Sequence, residues 1–468
     1  MREKSVRTLS FVTTAGTTLI SLPLVFVALL PRSAQSADPL QAATPNIVLI
    51  MADDLGYECI GANGGTSYRT PVIDELAQTG VRFEHCYSQP LCTPSRVQLM
   101  TGIYNVRNYT KFGLLDRKQT TFAQLLKQAG YATCIAGKWQ LGSETDAAQH
   151  FGFEQSCLWH HTRGGRSTEG GTTFDRRYVN PLLEFNGKEK EFTNGEYGPQ
   201  LCTNFICDFI EKNKKKPFLV YYPMILTHCP FDPTPASNDW DGNRLGSTSY
   251  KGDRRNYRQH FGDMVAYADK LVGEIVSQLE ESGVRDNTLI IFTGDNGTDH
   301  PIVSSLNGTD VAGGKGSMTD AGTRVPLIAN WPSTIPAGRV SADLVDFSDF
   351  LPTLCEAADV PVPRKLNVDG RSFLPQLQGK RGRPRQWIYC WYSRNGKTNI
   401  QEWARTQQYK LYRSGKFYDV KNDVLEEDPL AKLSPELQQV RSMLQQVLNQ
   451  HEGLRPAQPS SASGKSVK

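Results

Sequence analysis

Three short runs of this chain are apolar at nearly every position, and each one stops abruptly at polar residues. Residues 47–51 (Ile-Val-Leu-Ile-Met) lead to Asp53 and Asp54, residues 218–224 to Thr227-His228-Cys229, and residues 288–292 to Thr293-Gly294-Asp295-Asn296. A strand covered on both faces has no polar side to show, so runs without alternation predict central parallel strands. Shorter strands are expected over 81–87, 131–136 and 326–331. Helical spacing marks 71–79, 121–128, 201–211, 349–358 and above all 256–282, where Phe261, Met264, Val265, Ala268, Leu271, Val272, Ile275 and Leu279 form one stripe. Strands alternating with helices predict an α/β fold with a large, mostly parallel mixed sheet flanked by helices. In such sheets ligands collect at the carboxyl ends of the strands, where the polar clusters stand.

Beyond residue 378 the pattern changes. A basic connector, Lys380-Arg381-Gly382-Arg383-Pro384-Arg385, precedes short β-type segments at 386–392, 402–407, 409–414 and 416–420 and an amphipathic helix from 435 to about 449. This predicts a main domain over 45–378 and a smaller C-terminal unit over 386–450, an antiparallel sheet packed with one helix. The Ser-, Pro- and Gly-rich end, 456–468, reads as a disordered tail. Residues 143–198, Gly-rich and polar, read as long loops in which Trp159, with His160 and His161 beside it, is a candidate for stacking on a ring-shaped substrate.

Residues 8–31 carry no charge, follow Arg2, Lys4 and Arg7, and end near the small residues Ala34-Gln35-Ser36. This is the layout of a secretory signal peptide over 1–36, which predicts a secreted or periplasmic protein without a membrane span in its mature part. Removing it takes the net charge from +4 to +1. A near-neutral body gives no ground for nucleic-acid binding, so attraction for anions must be local. Ten cysteines in an exported chain invite a disulfide framework, and no spacing points to zinc.

The most specific stretch is Cys92-Thr93-Pro94-Ser95-Arg96, followed by Leu99-Met100-Thr101-Gly102. Pro94 suits the first turn of a helix, which would leave Cys92 just before it, where amide donors favour an anion. Arg96 adds a planar fork of donors. The pattern C-x-P-S-R-x-x-L-x-T-G should arise by chance in well under ~1% of chains of this length. It resembles the signature of type I sulfatases, members of the alkaline phosphatase-like superfamily, and the polar strand ends match the same family in order over roughly residues 45–450.

The resemblance implies hydrolysis of sulfate esters, with a sulfated sugar or polysaccharide the expected substrate. Cys92 would be oxidised by a formylglycine-generating maturation enzyme, and one hydroxyl of the hydrated aldehyde would attack sulfur while the other later expels sulfate. Asp53, Asp54, Asp295 and Asn296 look like ligands of one divalent metal that also touches residue 92, with Ca²⁺ favoured over Mg²⁺ by the hard oxygen donors. Arg96 and Lys138 resemble the groups that brace the nucleophile and the sulfate, and His228 and Lys315 those that bind sulfate and protonate the leaving oxygen. One position departs. The family usually has histidine in Gly-Lys-Trp-His-Leu-Gly, and here Gln140 stands in its place, a residue that orients by hydrogen bonding and accepts no proton near neutrality. Asp320, where glutamate is frequent, is a milder departure. A phosphonate or phosphate ester hydrolase of the same fold is one alternative. A non-catalytic protein that binds sulfated glycans, motivated by Gln140, is the other.

Overall fold

The computed structural model describes residues 8–11, 44–160, 166–169, 172–247 and 255–455. The main sheet has eleven strands, β1 (Asn46–Ala52), β2 (Val81–Tyr87), β3 (Ala132–Trp139), β4 (Gln155–His160), β5 (Leu182–Phe185), β6 (Lys188–Glu191), β7 (Phe218–Pro223), β8 (Thr288–Gly294), β9 (Arg324–Val325), β10 (Leu327–Asn330) and β11 (Arg339–Asp346). β1 lies in the middle, parallel to β8 on one edge and to β7 on the other, and β3 and β4 continue the parallel series beyond β7. On the far side β10 runs antiparallel between β8 and β2, and β2 pairs in parallel with β11. The architecture is the mixed, mostly parallel α/β sheet expected.

Every residue of β1, β7 and β8 is buried, which is why their sequences show no alternation. Ile47, Leu49 and Met51 face one layer, shared with helices α2 (Cys92–Thr101), α3 (Phe122–Gln128) and α6 (Phe350–Ala357). Val48, Ile50 and Ala52 face the other, formed with α1 (Pro71–Gln78), α4 (Gly198–Asn213) and α5 (Tyr257–Glu281). Each such Ile or Leu contributes about 1.5–3 kcal/mol by leaving water, so the two layers hold the sheet rigid and leave only its rim for chemistry. The stripe anticipated on 256–282 is the buried face of α5.

The C-terminal sheet, β12 (Ile388–Tyr392), β13 (Gln401–Arg405), β14 (Tyr409–Tyr412) and β15 (Phe417–Asp419), is an antiparallel meander covered by α7 (Pro435–Gln450). Its core runs into that of the main sheet, for Tyr389, Leu411, Leu444 and Leu448 belong to the same apolar cluster as Ile47. Arg385, read above as part of a connector, is instead buried and clamps Asp349 through Nε to Oδ2 at 2.7 Å.

Several expectations need correction. Residues 143–198 are not simply loops, because β4 joins the main sheet beside β3 and the β5–β6 hairpin extends it. β6, Lys-Glu-Lys-Glu, is exposed at every residue, and such a charged edge strand gives no apolar pattern to read. The disulfide framework is absent, since all ten cysteines are free and nine are buried as small apolar groups. The thiols of Cys157 and Cys202 lie 3.9 Å apart, unbridged. Of the expected leader only residues 8–11 are described, without helix or strand, and the tail at 456–468 lies outside the described residues. Among the described residues no helix is long and apolar enough to cross a membrane.

Candidate active site

The carboxyl ends of β1, β3, β7 and β8 open onto one point, and the start of α2 closes it. Cys92 is the first residue of α2 rather than the residue before it; Leu91, extended at φ −137°, is the cap. Pro94 sits in the first turn, where its missing N–H costs nothing because the first four amides of a helix lack internal acceptors. Asp54 leaves β1 at φ +60°, a left-handed conformation that turns the chain sharply beneath the site. Its N–H donates to Asp295 Oδ1 at 3.0 Å, tying the two strand ends together. Gly137 (φ +118°) precedes Lys138, and a Cβ there would meet the Pro223 carbonyl oxygen at 2.0 Å, so glycine lets β3 bring its lysine against β7.

Lys138 Nζ donates to Asp53 Oδ2 at 2.6 Å, and Arg96 donates through Nη2 to Asp295 Oδ2 at 2.8 Å. Lys315 Nζ lies 2.5 Å from Asp54 Oδ2 and 3.1 Å from His228 Nε2. Asn296 Nδ2 donates to Asp54 Oδ1 at 2.8 Å. Ligand atoms of Asp53, Cys92 and Asp295 lie within 4.8 Å of one another, as do those of Asp53, Asp54 and His228. The structure thus brings together Asp53, Asp54, Cys92, Arg96, Lys138, His228, Asp295, Asn296 and Lys315. Gln140 is buried nearby, its Oε1 accepting from Thr93 Oγ1 at 3.1 Å.

Three carboxyls in one buried pocket strain their ionisation. Burial, then the neighbouring Asp53 charge, pushes Asp295 up to about 7 despite Arg96. Burial also raises Asp54 against the pull of Lys315, whereas for Asp53 the pull of Lys138, Arg96 and Lys315 overcomes burial and holds it well below the usual range. His228 is driven well down by burial, then by Lys315 and Lys138, so its ring is neutral. Burial raises the Cys92 thiol, with Lys138 opposing.

The donor set fits a cation. Among the described residues Asp53 Oδ1 and Asn296 Oδ1 are buried without a hydrogen-bond partner, and unmatched buried oxygens are costly unless something positive meets them. A hard divalent ion takes carboxylate and amide oxygens of this kind.

Arg177 escaped the sequence reading. It is 1% exposed, reaches His228 Nδ1 and the Cys229 carbonyl oxygen at 2.9 Å each, and is held by the two bonds it donates to the Asp175 carboxylate at 2.8 and 2.6 Å. Its guanidinium lies 4.1 Å from the centre of the Trp159 ring. Trp159 is therefore packed beneath an arginine, 1% exposed, and not offered to a ligand. His160 is buried against Glu184 at 2.9 Å, and His161 lies outside the described residues.

The loop bearing Lys315 is anchored from behind. Asp320 pairs with Arg405, and Lys410 Nζ donates to the Met318 carbonyl at 2.6 Å and to Glu426 Oε1 at 2.7 Å. Tyr412 donates to the same Met318 carbonyl at 3.3 Å and also bonds Glu426. Asp320, noted above only as a departure, is thus a structural anchor.

Residues 45–360 match the family model described as Sulfatase, and residues 314–453 match the model of the N-sulphoglucosamine sulphohydrolase C-terminal region. Human arylsulfatase D is 30% identical over 453 residues, covering 78% of this chain and 73% of the relative. The N-acetylgalactosamine-6-sulfatase of Canis lupus familiaris is 31% identical over 411 residues, covering 79% and 74%. Among solved structures, Ps i-CgsB in complex with k-i-k-neocarrahexaose superposes with a TM-score of 0.72 at 25% identity, covering 88% of this chain and 94% of that one. The chain belongs to the sulfatase family, with the fold of the alkaline phosphatase-like superfamily, and its chemistry is the hydrolysis of sulfuric esters.

Proposed function

We propose that this protein is an exported sulfatase that removes sulfate from a sugar of a sulfated glycan, using Cys92 in its formylglycine form and one divalent cation. The observation that carries the reading is the pair of unmatched oxygens, Asp53 Oδ1 and Asn296 Oδ1, buried beside Cys92 in a ring of three cations. Asp53, Asp54, Asp295 and Asn296 would hold the ion, Ca²⁺ ahead of Mg²⁺, and its charge would polarise a sulfate oxygen. Formylglycine supplies a hydrated aldehyde, whose two hydroxyls serve attack and release, and a maturation enzyme must make it.

The remaining roles fall to the chain's own groups. Lys138 and Arg96 keep the carboxylates and residue 92 in place, and Lys315, whose charge Asp54 stabilises against burial, meets the sulfate. His228 and Lys315 are the pair beside the leaving oxygen: the Lys315 ammonium carries the proton that the oxygen takes, and His228, neutral between Arg177 and Lys315, orients it. Gln140 keeps its carbonyl on Thr93 and offers only N–H bonds to the nucleophile. The sugar reading draws on the relatives, which include an N-acetylgalactosamine-6-sulfatase, and on the carbohydrate in the similar structure. Export rests on the leader pattern over 1–36.

The deciding experiment is the mass of tryptic peptide 83–96 from protein co-produced with a formylglycine-generating enzyme, Cys86 serving as the unmodified internal thiol. An aldehyde at Cys92, with sulfate released from sulfated sugars, is the expected result. A plain thiol at Cys92, when a control sulfatase in the same cells is matured, would sink the reading.

A further inference from the structure

Gly316, the residue after Lys315, forms part of the wall of a separate cavity of about 610 Å³. Its other walls are Lys111 and Phe112, from the segment after α2, and the β12–β13 turn with Tyr392, Arg394 and Asn395. A volume of this size takes a small ring ligand rather than a water or an ion. None of the lining residues is acidic and two are cationic, in a chain whose body is close to neutral. Neither Lys111 nor Arg394 forms an ion pair among the described residues, so their charge faces outward unspent.

The wall is fixed in place. The Arg394 carbonyl accepts from the Phe112 N–H at 3.1 Å and the Tyr109 hydroxyl at 2.9 Å, and its guanidinium rests 5.0 Å from the centre of the Phe112 ring. Asn395 Oδ1 ties down the turn by accepting from the Lys397 and Thr398 amides at 2.9 Å each. A stacked, pre-oriented guanidinium loses little freedom when it grips a planar anion. Tyr392, 7% exposed, brings its hydroxyl to the wall it shares with Gly316, the neighbour of Lys315. That hydroxyl makes no hydrogen bond within the described residues.

We propose that this cavity is a subsite for an acidic sugar, bearing carboxylate or sulfate, linked to the sugar whose ester is cleaved. The inference rests on the sulfated-sugar reading above and adds that the preferred glycan carries acidic groups on neighbouring sugars. Arg394 and Lys111 grip the second anion while Tyr392 reads a ring hydroxyl. The attraction is electrostatic and weakens as salt screens it.

Calorimetric titration of the full-length, Ca²⁺-loaded protein with Cys92 left as a thiol tests binding without turnover. Three disaccharides share one sulfated sugar and differ in its neighbour, which is neutral, a uronate, or a second sulfated sugar. Wild type is expected to bind at least one acidic disaccharide about tenfold more tightly than the neutral one, with the preference shrinking as salt rises. The two acidic arms tell carboxylate from sulfate. Lys111→Ser with Arg394→Ser should erase most of the preference, Arg394→Ser alone about half of it on a logarithmic scale, and Lys212→Ser, on α4, none. Equal affinity for all three disaccharides in wild type, or a preference untouched in the double variant, overturns the subsite. Sulfate release by the matured enzyme is scored separately. Binding preference without release from any disaccharide would refute the sulfated-sugar substrate reading and leave the subsite standing.

Discussion

Two buried networks of charge lie within this molecule, one at the rim of the main sheet and one behind the Lys315 loop. Both are balanced in formal charge. The first sets Arg96, Lys138 and Lys315 against Asp53, Asp54 and Asp295, and the second sets Arg405 and Lys410 against Asp320 and Glu426. They differ in what is left over. In the second, Lys410, Tyr412, Arg405 and both carboxylates all find partners, whereas the first leaves Asp53 Oδ1 and Asn296 Oδ1 empty-handed. Burial of charge therefore does not mark a reaction centre, since both networks are buried. Unused bonding capacity alone does not either, since Trp403 Nε1 beside the second network also lacks a partner among the described residues; the mark is a carboxylate oxygen and an amide oxygen, both hard donors, left open within one charged cluster.

That contrast can be broken by experiment. Cys92→Ser should cut sulfate release by at least roughly a thousandfold without lowering the melting temperature, measured on matured protein, because serine cannot form the aldehyde hydrate. Lys410→Met should do the reverse in kind. It strands Glu426 and Asp320 without their cation and should lower unfolding stability by about 3–5 kcal/mol in urea melts, with Glu426→Gln added to it recovering part of the loss. Ca²⁺ at a hundred times its dissociation constant should stabilise wild type by about 2.7 kcal/mol, and chelation or Asp53→Ala should remove that gain. Equal stabilisation of Asp53→Ala would show that the leftover oxygens do not hold the ion.

Smaller effects sharpen the comparison. Arg177→Ala should lower kcat roughly 10–100-fold with a lesser change in KM, and Arg177→Lys should restore part of it, since a lysine still donates toward His228. A loss shared equally by both variants and matched by a fall in melting temperature would reduce Arg177 to a packing residue. His85 adjoins the closed network, where burial, then Arg324 and Arg405, pushes it down to about 4. Unfolded histidine titrates near 6.5, so between those values the unfolded chain holds more protons and stability falls as pH drops. The slope from this one group is at most about 1.4 kcal/mol per pH unit, and His85→Gln should flatten it by that share.

How far the sequence could be read depended on whether a position's environment is local. β1, β7 and β8 were legible because burial on both faces leaves an unbroken apolar run, and their polar ends mark where the sheet stops. The Cys92 motif was legible because its residues are consecutive. β6 was not, since its charged residues face water, and β4 was missed amid polar and glycine-rich surroundings. Trp159 was misjudged because nothing adjacent in the chain announces that Arg177, eighteen positions on, covers it. Arg177 stands in no motif, and its pairing with His228 exists only once β7 and the segment after β4 meet. The cysteines misled because a count cannot distinguish a thiol packed as a small apolar group from half of a bridge.

The strand that delivers Cys92 also sets a clock. Among the described residues β2 has no early sheet partner, for β9, β10 and β11 supply its sheet bonds, and the last of these ends at Asp346. About 250 residues must be made after Cys92 before this strand can be enclosed. At ordinary rates of synthesis, 5–20 residues per second, that is roughly 10–50 s during which the motif is an unpaired peptide. Once folded, Cys92 is 2% exposed and every residue of α2 is buried. The proposed oxidation thus belongs to the nascent chain, and a mutation that hastened closure around β2 would yield a well-folded protein whose nucleophile was never installed.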